Sequence, residues 1–222
     1  MTPRWYFDFV SPFSYLHWQK MRPLVAGGRV EAVPVVLGAL LSARNLAGPA
    51  EIPGKREFIY RQALWQARQE GVPLVFPPAH PFNPLPALRL CVAAGTTVEA
   101  IEAVFAALWG EGRDGSPASL AAVARGLGID DLDAATADPG VRQRLRDNTA
   151  LALDAGVFGV PTLELDGGLF WGNDSHGLMM AALKDPGLLR EGPLAEIGRL
   201  PVGISRRAAP PLPAVAAGPF PR

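Results

Sequence analysis

Trp5-Tyr6-Phe7-Asp8-Phe9-Val10-Ser11-Pro12-Phe13-Ser14-Tyr15-Leu16 reads as a buried strand that runs directly into a helix, with a hydroxyl at the junction. The run to Phe9 is aromatic and β-prone, and Pro12 fits the first turn of a helix extending through Leu16, Trp18 and Met21 to Gly27-Gly28. The first N–H groups of a helix lack intrahelical partners and carry the positive end of its dipole, so such a junction favours an anion. A thiolate is one anion it suits. Taken alone, Ser11 reads first as an ordinary N-cap, worth about 1 kcal/mol.

Working outward, residues 30–37 alternate early and then turn continuously apolar, which predicts a second buried strand, parallel to the first after a helical crossover. For more than a hundred residues the chain is then rich in Ala, Leu and Arg, with helical segments expected at 55–70, 85–94, 98–109, 120–127 and 141–155. Strand character returns at Pro161-Thr162-Leu163-Glu164-Leu165. Asp166-Gly167-Gly168 is a turn signal and Leu169-Phe170-Trp171 a returning strand, so a β-hairpin is expected, followed by a short helix over 175–183. The predicted fold is α/β: a thioredoxin-like sheet (residues 1–37 and 156–200) interrupted by a large all-helical insertion (38–155). A Pro- and Ala-rich tail over 201–222 is expected to be an extended appendage.

Composition narrows the function. The 222 residues carry 21 basic and 21 acidic side chains with no Lys/Arg stripe, which argues against nucleic acid or an anionic membrane and leaves small molecules or proteins as partners. Cys91 is the only cysteine, so an internal disulfide, a Cys-x-x-Cys pair and a thiolate zinc cluster are excluded. Three scattered histidines without paired carboxylates make no metal site, and Cys91 fits a core position. No basic-then-apolar segment precedes Trp5 and no apolar run approaches the roughly 18 residues of a membrane helix, so the cytoplasm is the expected compartment.

Three ordered motifs carry a resemblance over about residues 4–200: residues 7–16, then Phe158-Gly159-Val160-Pro161-Thr162, then Phe170-Trp171-Gly172-Asn173-Asp174. Together they resemble the 2-hydroxychromene-2-carboxylate isomerases, in the DsbA-like branch of the thioredoxin superfamily and close to kappa-class glutathione transferases. The resemblance implies that glutathione is the cofactor and brings the sulfur, with Ser11 as the catalytic residue whose hydroxyl donates a hydrogen bond to the thiolate. Val160-Pro161 corresponds to a cis-proline step whose preceding residue pairs with an extended peptide. It further implies that Trp171, Asn173 and Asp174 complete the glutathione site, Asp174 holding the γ-glutamyl ammonium, capping the final helix, or both. Lys55, Phe82 and Asn83 fall on the side of an aromatic keto-acid substrate, with His80 a weaker candidate in the same loop. His17 and His176 are read as packed or helix-start residues.

Relatives often carry lysine and asparagine near Ser42 and Leu46, an acidic and a basic residue near Gln62 and Trp65, and arginine at the place of Ser175, so this chain departs from the pattern where glutathione or the organic acid would be faced. The implied function is glutathione-dependent isomerisation in aromatic-compound catabolism by a homodimer. The alternatives are a kappa-like glutathione transferase, or a glutathione- or peptide-binding module with little chemistry.

Overall fold

Trp5, Tyr6 and Phe7 of β1 (Arg4–Phe7) are all enclosed, as a strand covered on both faces requires. In this computed structural model, which describes residues 2–204, α1 (Pro12–Ala26) carries the chain across to β2 (Glu31–Pro34). That strand lies parallel to β1, with Arg4 opposite Glu31 and Phe7 opposite Pro34. On the other side of β1 lies β3 (Thr162–Leu165), antiparallel, and outside it β4 (Gly168–Trp171), giving the order β2-β1-β3-β4. The parallel pair and the closing hairpin are those expected from the sequence.

One face of the sheet is aromatic. Trp5 stacks on Phe7 at 4.7 Å and on Trp18 of α1 at 5.7 Å, and Phe7 and Phe9 continue the contact to Phe105. The other face packs Tyr6, Val33 and Val35 against Leu40, Ala152, Val157 and Val160. Burying a large apolar side chain contributes about 1.5–3 kcal/mol, so these two layers fix how the helices sit on the sheet.

Between β2 and β3 run α2 (Leu37–Ser42), α3 (Lys55–Glu70), α4 (Leu85–Ala93), α5 (Val98–Phe105), α6 (Pro117–Gly126), α7 (Leu132–Ala137) and α8 (Pro139–Asp154). After β4 comes α9 (His176–Lys184). Two expectations are corrected. The apolar run over 30–37 does not stay extended: β2 ends at Pro34 and α2 begins at Leu37, because the Asp8 carboxylate accepts the Leu37 N–H at 2.8 Å and the Thr149 hydroxyl accepts the Val36 N–H at 3.2 Å. The helix expected over 98–109 changes hand-hold at Ala106–Gly110, a π turn in which the Glu111 N–H reaches back to the Ala106 carbonyl.

By contact, the described residues up to Pro186 form one compact unit and those from Gly187 onward another. In the second, α10 (Gly192–Glu196) and a 3-10 turn (Ile197–Arg199) are followed by exposed Leu200, Val202 and Ile204. Most of the expected tail, residues 205–222, lies outside the described residues. No described helix is long and apolar enough to cross a membrane.

Candidate active site

Tyr6 of β1 lies opposite Thr162 of antiparallel β3, and Thr162 lies opposite Trp171 of β4. The chain leaving β1, the chain entering β3 and the chain leaving β4 therefore share one end of the sheet. Ser11, Val160 and the 171–174 segment are the residues found there.

Ser11 is the N-cap of α1, extended at φ −93° and ψ 116°, with Pro12 in the first turn. Its Oγ accepts the Ser14 N–H at 3.2 Å, and its own N–H donates to the Asp8 carbonyl at 3.1 Å. Capping uses the hydroxyl oxygen as acceptor and leaves the hydroxyl proton without a protein acceptor among the described residues, so one group serves both as cap and as donor. The only cysteine, Cys91, cannot supply a sulfur here, since burial within α4 pushes its thiol up to about 12.

The loop before Ser11 is held at four atoms. Asp8, wholly buried, accepts Val10 N–H at Oδ1 (3.0 Å) and Leu37 N–H at Oδ2 (2.8 Å); burial nevertheless dominates and raises its carboxyl to about 7. The Phe9 carbonyl accepts the Trp109 indole N–H at 2.7 Å, and the Val10 carbonyl lies 2.7 Å from His80 Nε2. A carbonyl only accepts, so Nε2 carries the proton and Nδ1 accepts from the Tyr60 hydroxyl, 2.6 Å away. Burial lowers the His80 pKa and keeps the ring neutral. Arg56 in turn donates to the His80 carbonyl at 2.7 Å and stands 5.5 Å from the centre of the Tyr60 ring.

Thus α3, the 76–82 loop and the π turn clamp the two residues before Ser11. This clamp was missed from the sequence, which ranked His80 below its neighbours and gave Arg56, Tyr60 and Trp109 no role. The aromatic residues Tyr60, Phe76, Phe82 and Trp109 that ring His80 at 5.2–6.1 Å were the available signal.

The predicted substrate-side residues are dispersed around this clamp. Phe82 belongs to the ring cluster, 6.3 Å from Trp109, and lies so close to Gly115 that a Cβ there would come within 3.1 Å of it. Asn83 is exposed and accepts the Leu85 N–H at 3.1 Å, turning the chain into α4. Lys55 is exposed in the first turn of α3 and has no carboxylate partner among the described residues.

On the β3 side the Val160–Pro161 peptide is cis, as the sequence led us to expect. Neighbouring polar groups are paired: the Pro161 carbonyl accepts the Gly172 N–H at 2.9 Å and the Gly159 carbonyl accepts the Thr162 hydroxyl at 2.7 Å. The Val160 N–H and C=O have no protein partner among the described residues, while its side chain is anchored in the core. Trp171 is half exposed and meets Phe158 edge-on at 5.4 Å, an aromatic partner the sequence reading used only as part of a motif. Gly159 makes room for it, since a Cβ there would lie 2.7 Å from the indole nitrogen.

Asn173 and Asp174 differ sharply. Asn173 is 4% exposed; its oxygen accepts from Lys20 at 3.0 Å and its amide donates to Gln66 and Glu70, each at 3.1 Å, so the side chain fastens this corner to α1 and α3. Asp174 is exposed, and no side chain makes a capping bond at the start of α9, so its carboxylate is not occupied by the helix. Gly172, at φ +94°, lets the chain bend under that carboxylate, where a Cβ would overlap it.

Deeper in α1, His17 accepts the Trp5 indole N–H at Nδ1 (3.1 Å) and lies 3.3 Å from His176 at Nε2. Burial drives its pKa down to about 3. It is a packed histidine, as expected.

Residues 4–184 match the DSBA-like thioredoxin domain, so the chain belongs to the DSBA-like family. The 2-hydroxychromene-2-carboxylate isomerase of Sphingobium xenophagum is 30% identical over 193 residues, covering 83% of this chain and 98% of that protein. That of Pseudomonas putida is 31% identical over 196 residues, covering 82% and 94%. The solved structure of a 2-hydroxychromene-2-carboxylate isomerase superposes with a TM-score of 0.71 at 27% identity, over 83% of this chain and 95% of the other. The cytosolic disulfide reductase DsbM of Pseudomonas aeruginosa shares the fold at 19% identity and a TM-score of 0.52, over 83% of this chain and 99% of the other. Within the DSBA-like proteins the chain belongs to the 2-hydroxychromene-2-carboxylate isomerase family, and it is an enzyme of isomerase type.

Proposed function

We propose that this chain is a glutathione-dependent isomerase acting on ring-opened aromatic keto acids of the 2-hydroxychromene-2-carboxylate type. The observation that carries the reading is the pairing, at one end of the sheet, of a capping serine whose proton is free with a Val160 backbone edge that no protein group occupies. The donor set fits a peptide thiol: an N–H and C=O for β-type pairing, a hydroxyl donor at a helix N-terminus for a thiolate, and an exposed carboxylate for an ammonium. Glutathione, when bound, supplies a sulfur nucleophile that adds reversibly to a conjugated carbon and so lets the former double bond turn.

The chain's own residues position and stabilise. The Ser11 hydroxyl donates a hydrogen bond to the thiolate; a charge-assisted hydrogen bond of this kind contributes about 1.5–3 kcal/mol. Val160 sets the depth of the peptide, Trp171 and Phe158 wall it on the β4 side, and Asp174 takes its amino end. Asn173 holds that corner in place. The His80–Tyr60–Arg56 clamp keeps the Ser11 loop from shifting, and Lys55 is the exposed cation available to a substrate carboxylate.

The test is turnover of trans-o-hydroxybenzylidene pyruvate followed by absorbance, with and without glutathione, alongside a thiol titration. The expected result is isomerisation that requires glutathione and leaves its concentration unchanged. Net loss of glutathione into a conjugate would assign the kappa-like transferase reading instead. Binding without turnover would leave a glutathione-binding module.

A further inference from the structure

A second candidate site lies away from Ser11, where α2, α4 and α8 line an open groove of about 280 Å³. Val36, Ala39, Leu85, Leu145 and Leu153 form its apolar walls, and Arg89, Arg142 and Arg146 stand among them. None of these residues takes part in the Ser11 site. Arg142 and Arg146 are four apart on α8, on one face with Leu145, Thr149 and Leu153, and Arg89 comes across from α4.

Arg89 and the exposed Arg142 and Arg146 line this groove, and none has a carboxylate within ion-pair distance among the described residues. Like charges at i,i+4 destabilise a helix by a few tenths of a kcal/mol, so the arrangement works against α8 itself. The Arg89 Nε is enclosed and has no protein partner. Arg146 is oriented by the Gln143 side-chain oxygen and Arg142 by the Thr136 carbonyl, contacts that leave further N–H groups on each free. Thr149, the other polar side chain of the lining, is fully engaged: it donates to the Leu145 carbonyl and accepts the Val36 N–H. Burial, and after it the nearby Arg142 and Arg146, lower the Arg89 pKa.

We propose that this groove binds a small organic anion, a carboxylate or sulfonate on a ring-sized apolar body. A planar carboxylate matches the guanidinium fork, and the apolar walls take the ring. The volume is at the lower end for ligand pockets, which limits the body to about one or two rings. The inference is independent of the Ser11 chemistry.

The experiment is calorimetry with 1-naphthoate, its neutral analogue 1-naphthamide and inorganic sulfate, on the full chain and on R89Q, R146Q and K55Q. Naphthoate should bind, more weakly as salt rises. Naphthamide and sulfate should each bind at least about tenfold more weakly, a difference of about 1.4 kcal/mol. R146Q, altered at an exposed position of α8, should lose a comparable factor with its melting temperature unchanged, R89Q should lose more, and K55Q should bind as wild type. Naphthoate affinity equal in R146Q and wild type, or lost in K55Q alone, overturns the site. Sulfate or naphthamide binding as tightly as naphthoate overturns the ligand class. If R89Q does not fold, R146Q decides.

Discussion

Asp8→Asn removes a carboxyl that the fold holds wholly buried beneath the Ser11 loop. Burial pushes that carboxyl up to about 7 from an ordinary 3.8. At about 1.4 kcal/mol per unit, Asp8 contributes about 4 kcal/mol that is fully present below pH 4 and lost as pH rises through about 7, because the neutral form is the one the interior accepts.

His17 acts in the opposite sense. Its pKa falls from 6.5 to about 3, so its contribution, about 5 kcal/mol on the same conversion, is present above pH 6.5 and lost as pH falls toward 3. Between about pH 4 and 6.5 the two slopes cancel, and this pair leaves wild-type stability level there.

The variant exposes the histidine slope. Its unfolding free energy should drop by about 1.4 kcal/mol per unit of acidification between about pH 6.5 and 4. It should also show a loss of about 1–3 kcal/mol at low pH from the N–H that asparagine no longer accepts. Urea unfolding of both proteins across this range measures the difference directly. A gap between wild type and variant that is constant with pH would falsify the reasoning, since it would mean that Asp8 titrates as a solvated carboxyl does.

Three further outcomes follow from the proposed site. Ser11→Ala should still bind glutathione but raise the pKa of the bound thiol by about one to two units, read from thiolate absorbance, and cost about 1 kcal/mol of stability from the lost cap; coincident titrations would reduce Ser11 to a cap. Asp174→Ala should weaken glutathione binding while leaving stability within about 0.5 kcal/mol, because no capping bond is lost; calorimetry showing equal affinity removes Asp174 from the site. Gly159→Ala places a Cβ 2.7 Å from the Trp171 indole nitrogen and should turn the ring away from Phe158. Acrylamide quenching of tryptophan emission should rise and glutathione affinity should fall, and unchanged quenching would show that the backbone yields in place of the ring.

Local pattern was enough for the long elements. α3 has the bounds its composition and its flanking Gly54 and Gly71 indicate, and the hairpin falls where Asp166-Gly167 turns the chain. It failed where a distant side chain sets the backbone. Nothing near residues 35–37 announces a helix start; the acceptor for its Leu37 N–H is Asp8, twenty-nine positions away. The clamp was hidden for the same reason, His80 and Val10 being seventy residues apart. That Ser11, Val160 and Trp171 lie beside element boundaries was legible because the sequence punctuates those elements; the roles proposed for them came from the resemblance. The engagement of Asn173 with α1 and α3 depends on packing that no local spacing encodes.

The π turn at Ala106–Gly110 makes chain length itself a determinant of the site. Its extra residue aims the Trp109 indole at the Phe9 carbonyl while the Trp109 carbonyl receives the Val75 N–H at 2.7 Å. Deleting one residue ahead of Trp109 would restore ordinary helical winding and swing that side chain by about 100° around the axis, breaking both attachments at once. A one-residue gap is usually absorbed at a loop tip. Here it would be felt at Ser11, so a relative with a gap in this turn must secure its serine loop by other means.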